Sequence, residues 1–163
     1  MADITLKGNP IHTSGKLPEV GSTAPDVALV KADLSEAPIS SFPGKKLLNV
    51  FPSLDTGICA ASVRNFVKKA AGKAGVTVLN ISADLPFAAK RFCAAEGIET
   101  AVTLSTFRSD FAKRYGLEIV DGPMKGLCSR AVLVLDESSK VLYVEQVPEI
   151  VQEPNYDAAL AKL

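Results

Sequence analysis

The sequence predicts an α/β protein: a central mixed sheet flanked by helices, with a β-hairpin at the N-terminus. Three observations carry this reading. Leu47-Leu48-Asn49-Val50-Phe51 is an apolar strand that stops at Pro52, which cannot donate to a ladder. It is followed by Val63, Phe66, Val67, Ala70 and Ala71, the i, i+3, i+4, i+7, i+8 stripe of an amphipathic helix. Then Val76-Thr77-Val78-Leu79-Asn80-Ile81 forms a near-continuous apolar run, the mark of a strand buried on both faces. Strand, helix and strand make a βαβ unit with a right-handed crossover.

The remaining elements follow in order. Ile4-Thr5-Leu6 and Ile11-His12-Thr13 flank a Gly8-Asn9 turn and read as a short hairpin. Lys16 to Pro25 is a Gly/Pro-rich connector, and Val27 to Val30 a strand. Pro43-Gly44 turns the chain into the central strand, entered from Lys45 and Lys46. The first helix can be capped by Asp55 or Thr56 and stops at Gly72. Asp84 can cap a second helix with Pro86 in its first turn, running to about Glu96 and ending at Gly97. Val102-Thr103-Leu104 is a third parallel strand, and Asp110 to Tyr115 a short helix. Arg130 opens the strand Ala131 to Leu135, which a turn joins to Val141 to Glu145. Tyr156 to Leu163 is a last helix.

Bulk properties narrow the function. At 163 residues and 47% hydrophobic, one domain over 1–163 is expected. Eighteen basic residues balance eighteen acidic ones, so nothing points to nucleic acid or an anionic membrane. No apolar run approaches the roughly 18 residues of a membrane span. Met1 to Lys7 lacks the basic-then-apolar order of a signal peptide, so a cytoplasmic setting is expected, with export by other routes left open. Cys59, Cys93 and Cys128 are three, an odd number, without CxxC pairing, and His12 is the single histidine. A disulfide framework and a structural zinc site are both disfavoured.

Cys59 stands out by position. It lies near the first turn of the first helix, at the carboxyl end of a parallel strand, where open α/β sheets place their sites. Free amides and the helix dipole favour an anion there, and the thiolate is the reactive form of cysteine. The plainer alternative is a small buried core residue.

The spelling around Cys59 adds to this. Pro52, Thr56 and Cys59 form a Pro-x-x-x-Thr-x-x-Cys pattern within Phe51-Pro52-Ser53-Leu54-Asp55-Thr56-Gly57-Ile58-Cys59-Ala60-Ala61-Ser62-Val63-Arg64. Further matches lie at Ser82 to Ala88, Arg91-Phe92-Cys93, Thr103 to Arg108 and Arg130-Ala131-Val132. Over nearly its whole length the chain resembles the thiol peroxidase branch of the peroxiredoxins, the atypical two-cysteine enzymes of bacteria. The element order is also similar to the thioredoxin-like fold. Thr56-Gly57-Ile58-Cys59 stands where thioredoxins carry Cys-x-x-Cys, so this turn cannot close a local disulfide.

The resemblance implies an antioxidant peroxidase acting on hydrogen peroxide and organic hydroperoxides. It assigns Cys59 as the peroxidatic thiol, Thr56 to hydrogen-bond sulfur and peroxide, Arg130 to stabilise the thiolate and the developing charge, and Pro52 to shield the site. It assigns Cys93 as the resolving cysteine, closing a Cys59–Cys93 disulfide. It implies thioredoxin as reductant, a homodimer, and no metal, haem or flavin. Taken without the resemblance, Thr56 can be only a cap, Pro52 only a strand stop, Arg130 a strand-edge charge and Cys93 a packed helix residue. Arg64 and Arg108 are weaker candidates for the cation, Arg64 lying off the helix stripe; Cys128 has no role from the resemblance and reads as structural, though alternation would put it on the face of Arg130. His12 reads as a strand residue rather than a base for Cys59.

Spacing adds a conformational expectation. Cys93 lies nine residues past Asp84, roughly 13 Å along its helix at about 1.5 Å per residue. A disulfide needs Cα atoms within about 7 Å, so oxidation should unwind one of the two helices. Two other functions are compatible with a lone reactive thiol. One is a thioredoxin-type oxidoreductase, disfavoured by the missing Cys-x-x-Cys; the other is a redox-sensing interaction protein.

Overall fold

A computed structural model describes residues 1–163. Strands β1 (Asp3–Leu6) and β2 (Asn9–His12) form a separate antiparallel hairpin. The turn is Lys7-Gly8 rather than Gly8-Asn9. Both turn residues have positive φ, 50° and 80°, the backbone of a type I′ connection.

Seven strands make the main sheet: β3 (Ala28–Val30), β4 (Glu36–Pro38), β5 (Lys45–Val50), β6 (Val76–Ser82), β7 (Val102–Ser105), β8 (Ala131–Leu135) and β9 (Val141–Gln146). Their order is β4-β3-β7-β6-β5-β8-β9. The inner β5–β6 and β6–β7 pairs are parallel, and the flanking pairs are antiparallel. The mixed sheet and the N-terminal hairpin are as the sequence predicts. Helices α1 (Gly57–Ala70), α2 (Pro86–Glu96), α3 (Phe111–Arg114) and α4 (Tyr156–Leu160) complete the fold.

Alternation along β5 explains the two layers. Leu48 and Val50 face a large core with Leu79, Ile81, Leu133, Phe111 and Tyr115. Leu47 faces the other way and meets Val132, Val134, Phe66 of α1 and Ala159 of α4. Burying each such side chain contributes about 1.5–3 kcal/mol before chain entropy is counted. Asn49 shares the Leu47 face, where an amide needs partners. Its Nδ2 donates to Ser62 Oγ of α1 at 3.2 Å and to Asn80 Oδ1, its register partner on β6, at 3.1 Å. This polar pair ties the first helix to the two central strands.

Two expectations change. Leu85, not Asp84, is the N-cap of α2, because the Asp84 carboxylate is engaged elsewhere. A second change concerns Lys46, which opens the strand as expected yet is 1% exposed, its Nζ donating to the Gly44 carbonyl at 3.1 Å.

Candidate active site around Cys59

Strand β5 ends at Val50, and the chain crosses the sheet edge through Phe51 and Pro52, both buried. Thr56 is the N-cap of α1 with extended backbone, and Cys59 is the third helical residue. Thr56 makes no side-chain cap; its Oγ1 donates back to the Ser53 carbonyl at 3.1 Å. The hydroxyl oxygen keeps its acceptor capacity for another donor.

The entry loop is fixed from below by Asp84. Ser53 Oγ donates to its Oδ1 at 2.7 Å, while the Leu54 amide and Ser82 Oγ donate to Oδ2, each at 2.7 Å. The helix side is fixed by Ser62, whose Oγ donates to the Cys59 carbonyl at 2.8 Å.

Cys59 is 0% exposed. Its thiol packs among Phe51, Leu54, Val63 and Ala89. One polar group reaches it: Arg130 Nη2 donates to Sγ at 3.2 Å. Arg130 comes from just ahead of β8, the antiparallel neighbour of β5, and Val50 pairs with Ala131 in the register. This pairing brings two residues 71 positions apart in the chain into contact. Arg130 is 1% exposed, so it is not a strand-edge charge in water. Its Nε donates to the Ile150 carbonyl at 2.9 Å. Its Nη1 is buried and has no acceptor. An unpaired buried donor costs about 1–3 kcal/mol, more for a charged group.

A cleft of about 260 Å³ opens over this group. Pro52, Thr56, Gly57 and Ile58 form one wall, and Arg130 lies in it. Leu6 of the hairpin, Met124, Ile150 and Val151 form the other. Cys59 itself does not line the cleft; Arg130, which donates to its sulfur, does.

Cys93 occupies a different setting. It lies on α2, is 5% exposed, and lines a second cleft of about 350 Å³ with Ala32, Asp33, Lys90 and Thr103. Burial pushes its thiol above the ordinary cysteine range. Cys59 and Cys93 are both free thiols here. The two helices nevertheless touch: Ala89 and Phe92 of α2 join the cluster around Cys59, and Arg64 Nη1 meets Glu96 Oε2 at 3.2 Å.

The other candidates fall outside this group. Arg108 is exposed and donates to the Leu34 carbonyl. His12 is held by Asp121 at 2.5 Å and Asp3 at 3.5 Å and is not on the cleft walls. Cys128 was expected on the face of Arg130, but the regular strand starts only at Ala131. Cys128 instead packs in the opposite core, and burial pushes its thiol up to about 12. Sequence reasoning missed Asp84 as a loop anchor, the Ile150 carbonyl behind Arg130, and Leu6 and Met124. No local pattern marks a backbone carbonyl or a wall contributed from a distant hairpin.

Comparison with known proteins decides the family. The Redoxin family model matches residues 19–160. The chain belongs to the redoxin family. The thiol peroxidase of Mycobacterium tuberculosis is 55% identical over 164 residues, covering 100% of this chain and 99% of that one. The thiol peroxidase of Leptospira interrogans is 54% identical, covering 99% and 96%. Among solved structures, a peroxiredoxin-like protein from Aquifex aeolicus superposes with a TM-score of 0.93 at 39% identity, covering 99% of this chain and 95% of that one. Its fold is the thioredoxin-like fold of the peroxiredoxins, and its enzyme class is peroxiredoxin-type thiol peroxidase. No helix is long and apolar enough to cross a membrane.

Proposed function

We propose that residues 1–163 act as one domain that reduces hydrogen peroxide and organic hydroperoxides through Cys59. The observation that carries this reading is the guanidinium of Arg130, donating through Nη2 to Cys59 Sγ with Nη1 buried and unpaired beside the cleft. The Cys59 thiolate attacks one peroxide oxygen; the O–O bond breaks, sulfenic acid forms, and the other oxygen leaves as water or alcohol after protonation. In this reading Nη1 and the Thr56 hydroxyl hold the peroxide oxygens, and Arg130 offsets charge on the outgoing one. Pro52 shields the thiol.

In the same reading Cys93 attacks the sulfenic acid and expels water, giving a Cys59–Cys93 disulfide that thioredoxin reduces. Cys59 is closed within its apolar cluster while Cys93 lines a separate cleft, and in this reading the step runs through local unwinding at the start of α1 or around Cys93. A homodimer and a cytoplasmic setting complete the proposal.

The test is titration of reduced protein with one equivalent of hydroperoxide, then intact mass and peptide mapping. Loss of two hydrogens with Cys59 linked to Cys93 is the expected result. A stable one-oxygen adduct on Cys59 with Cys93 free would remove the resolving assignment. No reaction at Cys59 would overturn the proposal. Hydrogen exchange on the two forms reads the unwinding; identical protection over residues 53–62 and 86–97 would exclude it.

A further inference from the structure

One carboxylate outside the Cys59 group is unusually occupied. Glu149 lies between β9 and α4, and its two oxygens accept four hydrogen bonds. Oε1 takes the amides of Lys7 at 2.9 Å and Val151 at 3.2 Å. Oε2 takes Thr5 Oγ1 at 2.7 Å and the Gly8 amide at 3.0 Å. The donors at Lys7 and Gly8 converge because both residues have positive φ, which aims consecutive amides at one point. Four donors hold the carboxyl well down, to about 2, the Thr5 hydroxyl contributing most.

What Glu149 joins bears on the cleft. It fastens the β1–β2 turn to the segment 148–151. Two backbone bonds assist it there, Thr5 N to Pro148 O at 2.7 Å and Ile150 N to Thr5 O at 2.9 Å, and Ile150 packs against Ile4 and Ile11 of the hairpin. Leu6, beside the turn, and Ile150 and Val151, in the segment, are cleft walls. The carbonyl of Ile150 is the acceptor that orients Arg130 through Nε. The path therefore runs from the hairpin turn through Glu149 to Ile150, Arg130 and the Cys59 sulfur.

We propose that Glu149 is a positioning residue: it clamps the N-terminal hairpin onto the 148–151 segment and so fixes the Ile150 carbonyl that aims Arg130 at Cys59. The inference rests on the reading of Arg130 given under Proposed function. A guanidinium turned by a misplaced carbonyl would miss both the sulfur and the incoming oxygen. Displacements of about 1 Å remote from the chemistry can cost as much as about 100-fold. The clamp leaves Arg130 one hydrogen bond removed, so a smaller loss is expected.

The experiment compares Glu149→Ala, Glu149→Gln and Thr5→Val with the unaltered protein, each also in an Arg130→Ala background. Two rates are read on reduced protein at low temperature: reaction with hydrogen peroxide and alkylation of Cys59 by iodoacetamide. Glu149→Ala should slow both about tenfold. Glu149→Gln keeps one of two acceptor oxygens and should lose less. Thr5→Val removes a single donor, keeps the measurement possible if Glu149→Ala does not fold, and should lose least. In the Arg130→Ala background, Glu149→Ala should lower the melting temperature and leave both rates where Arg130→Ala put them. A loss of thermal stability alone, with rates intact in the Arg130 protein, overturns the positioning role. An equal rate loss in both backgrounds also overturns it, since Glu149 would then act by another route. If Arg130→Ala itself leaves both rates unchanged, the assignment of Arg130 fails first.

Discussion

Cys59 and Cys93 are both buried cysteines on helices that touch, yet their surroundings make them different groups. Cys59 sits three residues into α1, with a buried guanidinium at 3.2 Å and an entry loop fixed by Asp84. Cys93 sits late in α2 in a cleft it shares with Asp33 and Lys90, its sulfur accepts no hydrogen bond from a charged group, and burial raises its thiol. A raised thiol is mostly protonated at neutral pH and competes poorly for peroxide. The difference teaches that burial alone quiets a thiol, while a buried guanidinium gives the other sulfur a directed partner. It also orders the proposed cycle: Cys93 becomes a good nucleophile only when the helix around it opens.

The contrast can be broken most severely at the sulfur. Cys59→Ser should lower peroxide turnover by about 10³-fold or more, since no other thiol accepts a hydrogen bond from a buried guanidinium. Coupled consumption of peroxide reads this, and appreciable residual turnover would move the chemistry to Cys93 or Cys128. Arg130→Ala should cost about 10²–10³ in the rate of Cys59 with hydrogen peroxide, measured by stopped flow. Arg130→Lys should recover part of it, because an ammonium cannot serve Ile150, sulfur and peroxide at once. Cys93→Ser sharpens the comparison differently. The first equivalent of peroxide should react as fast as before, leaving a one-oxygen adduct by mass, while turnover with a dithiol reductant stops. A slowed first step would mean that Cys93 also shapes the Cys59 site.

Smaller effects test the supports. Asp84→Asn replaces one of two acceptor oxygens that hold Ser53, Leu54 and Ser82, and should cost about 1–3 kcal/mol in urea unfolding. Unchanged stability would remove Asp84 as the loop anchor. The smallest effect is expected far from either thiol. The hydrogen bond with Asp121 raises His12 and lowers Asp121. A raised histidine stabilises fully below its ordinary value of about 6.5 and loses this as pH climbs through its folded value. A lowered carboxyl stabilises above about 4 and loses this as pH falls. His12→Ala should therefore lower the melting temperature at pH 5.5 and change it much less at pH 9. An equal drop at both would assign His12 a packing role.

Much of this was legible in the chain. The αβ period change at Pro52, the apolar run of β6 and the Gly97 stop of α2 are local signals, and each element lies where they place it. Gly97 indeed adopts the left-handed conformation, φ 69°. Cys59, Thr56 and Pro52 could be found together because one turn holds them. Arg130 was findable only as the residue before an apolar strand; its partner depends on β8 pairing with β5. Asp84 misled because a short acid before a helix is normally a cap, and here three donors from the β5 and β6 ends outbid the helix. The type I′ turn was misplaced by one residue, because Lys7 at positive φ has no sequence signal of its own. The convergence of hairpin, Glu149 and Ile150 spans over 140 residues of separation, beyond the reach of any local pattern.

The burial of Arg130 has a further consequence. Exposed pairs such as Lys69 with Asp157 or Arg64 with Glu96 weaken as dissolved ions gather around them, within a Debye length of about 10 Å at 0.1 M. Arg130 is 1% exposed, so mobile ions have no access to the space between it and the sulfur. Hydrogen peroxide is itself uncharged, and the chain has a formal net charge of zero, so nothing steers the encounter electrostatically. Screening should thus do little to the contact between guanidinium and sulfur as ionic strength rises, an insensitivity set by where one cation is kept.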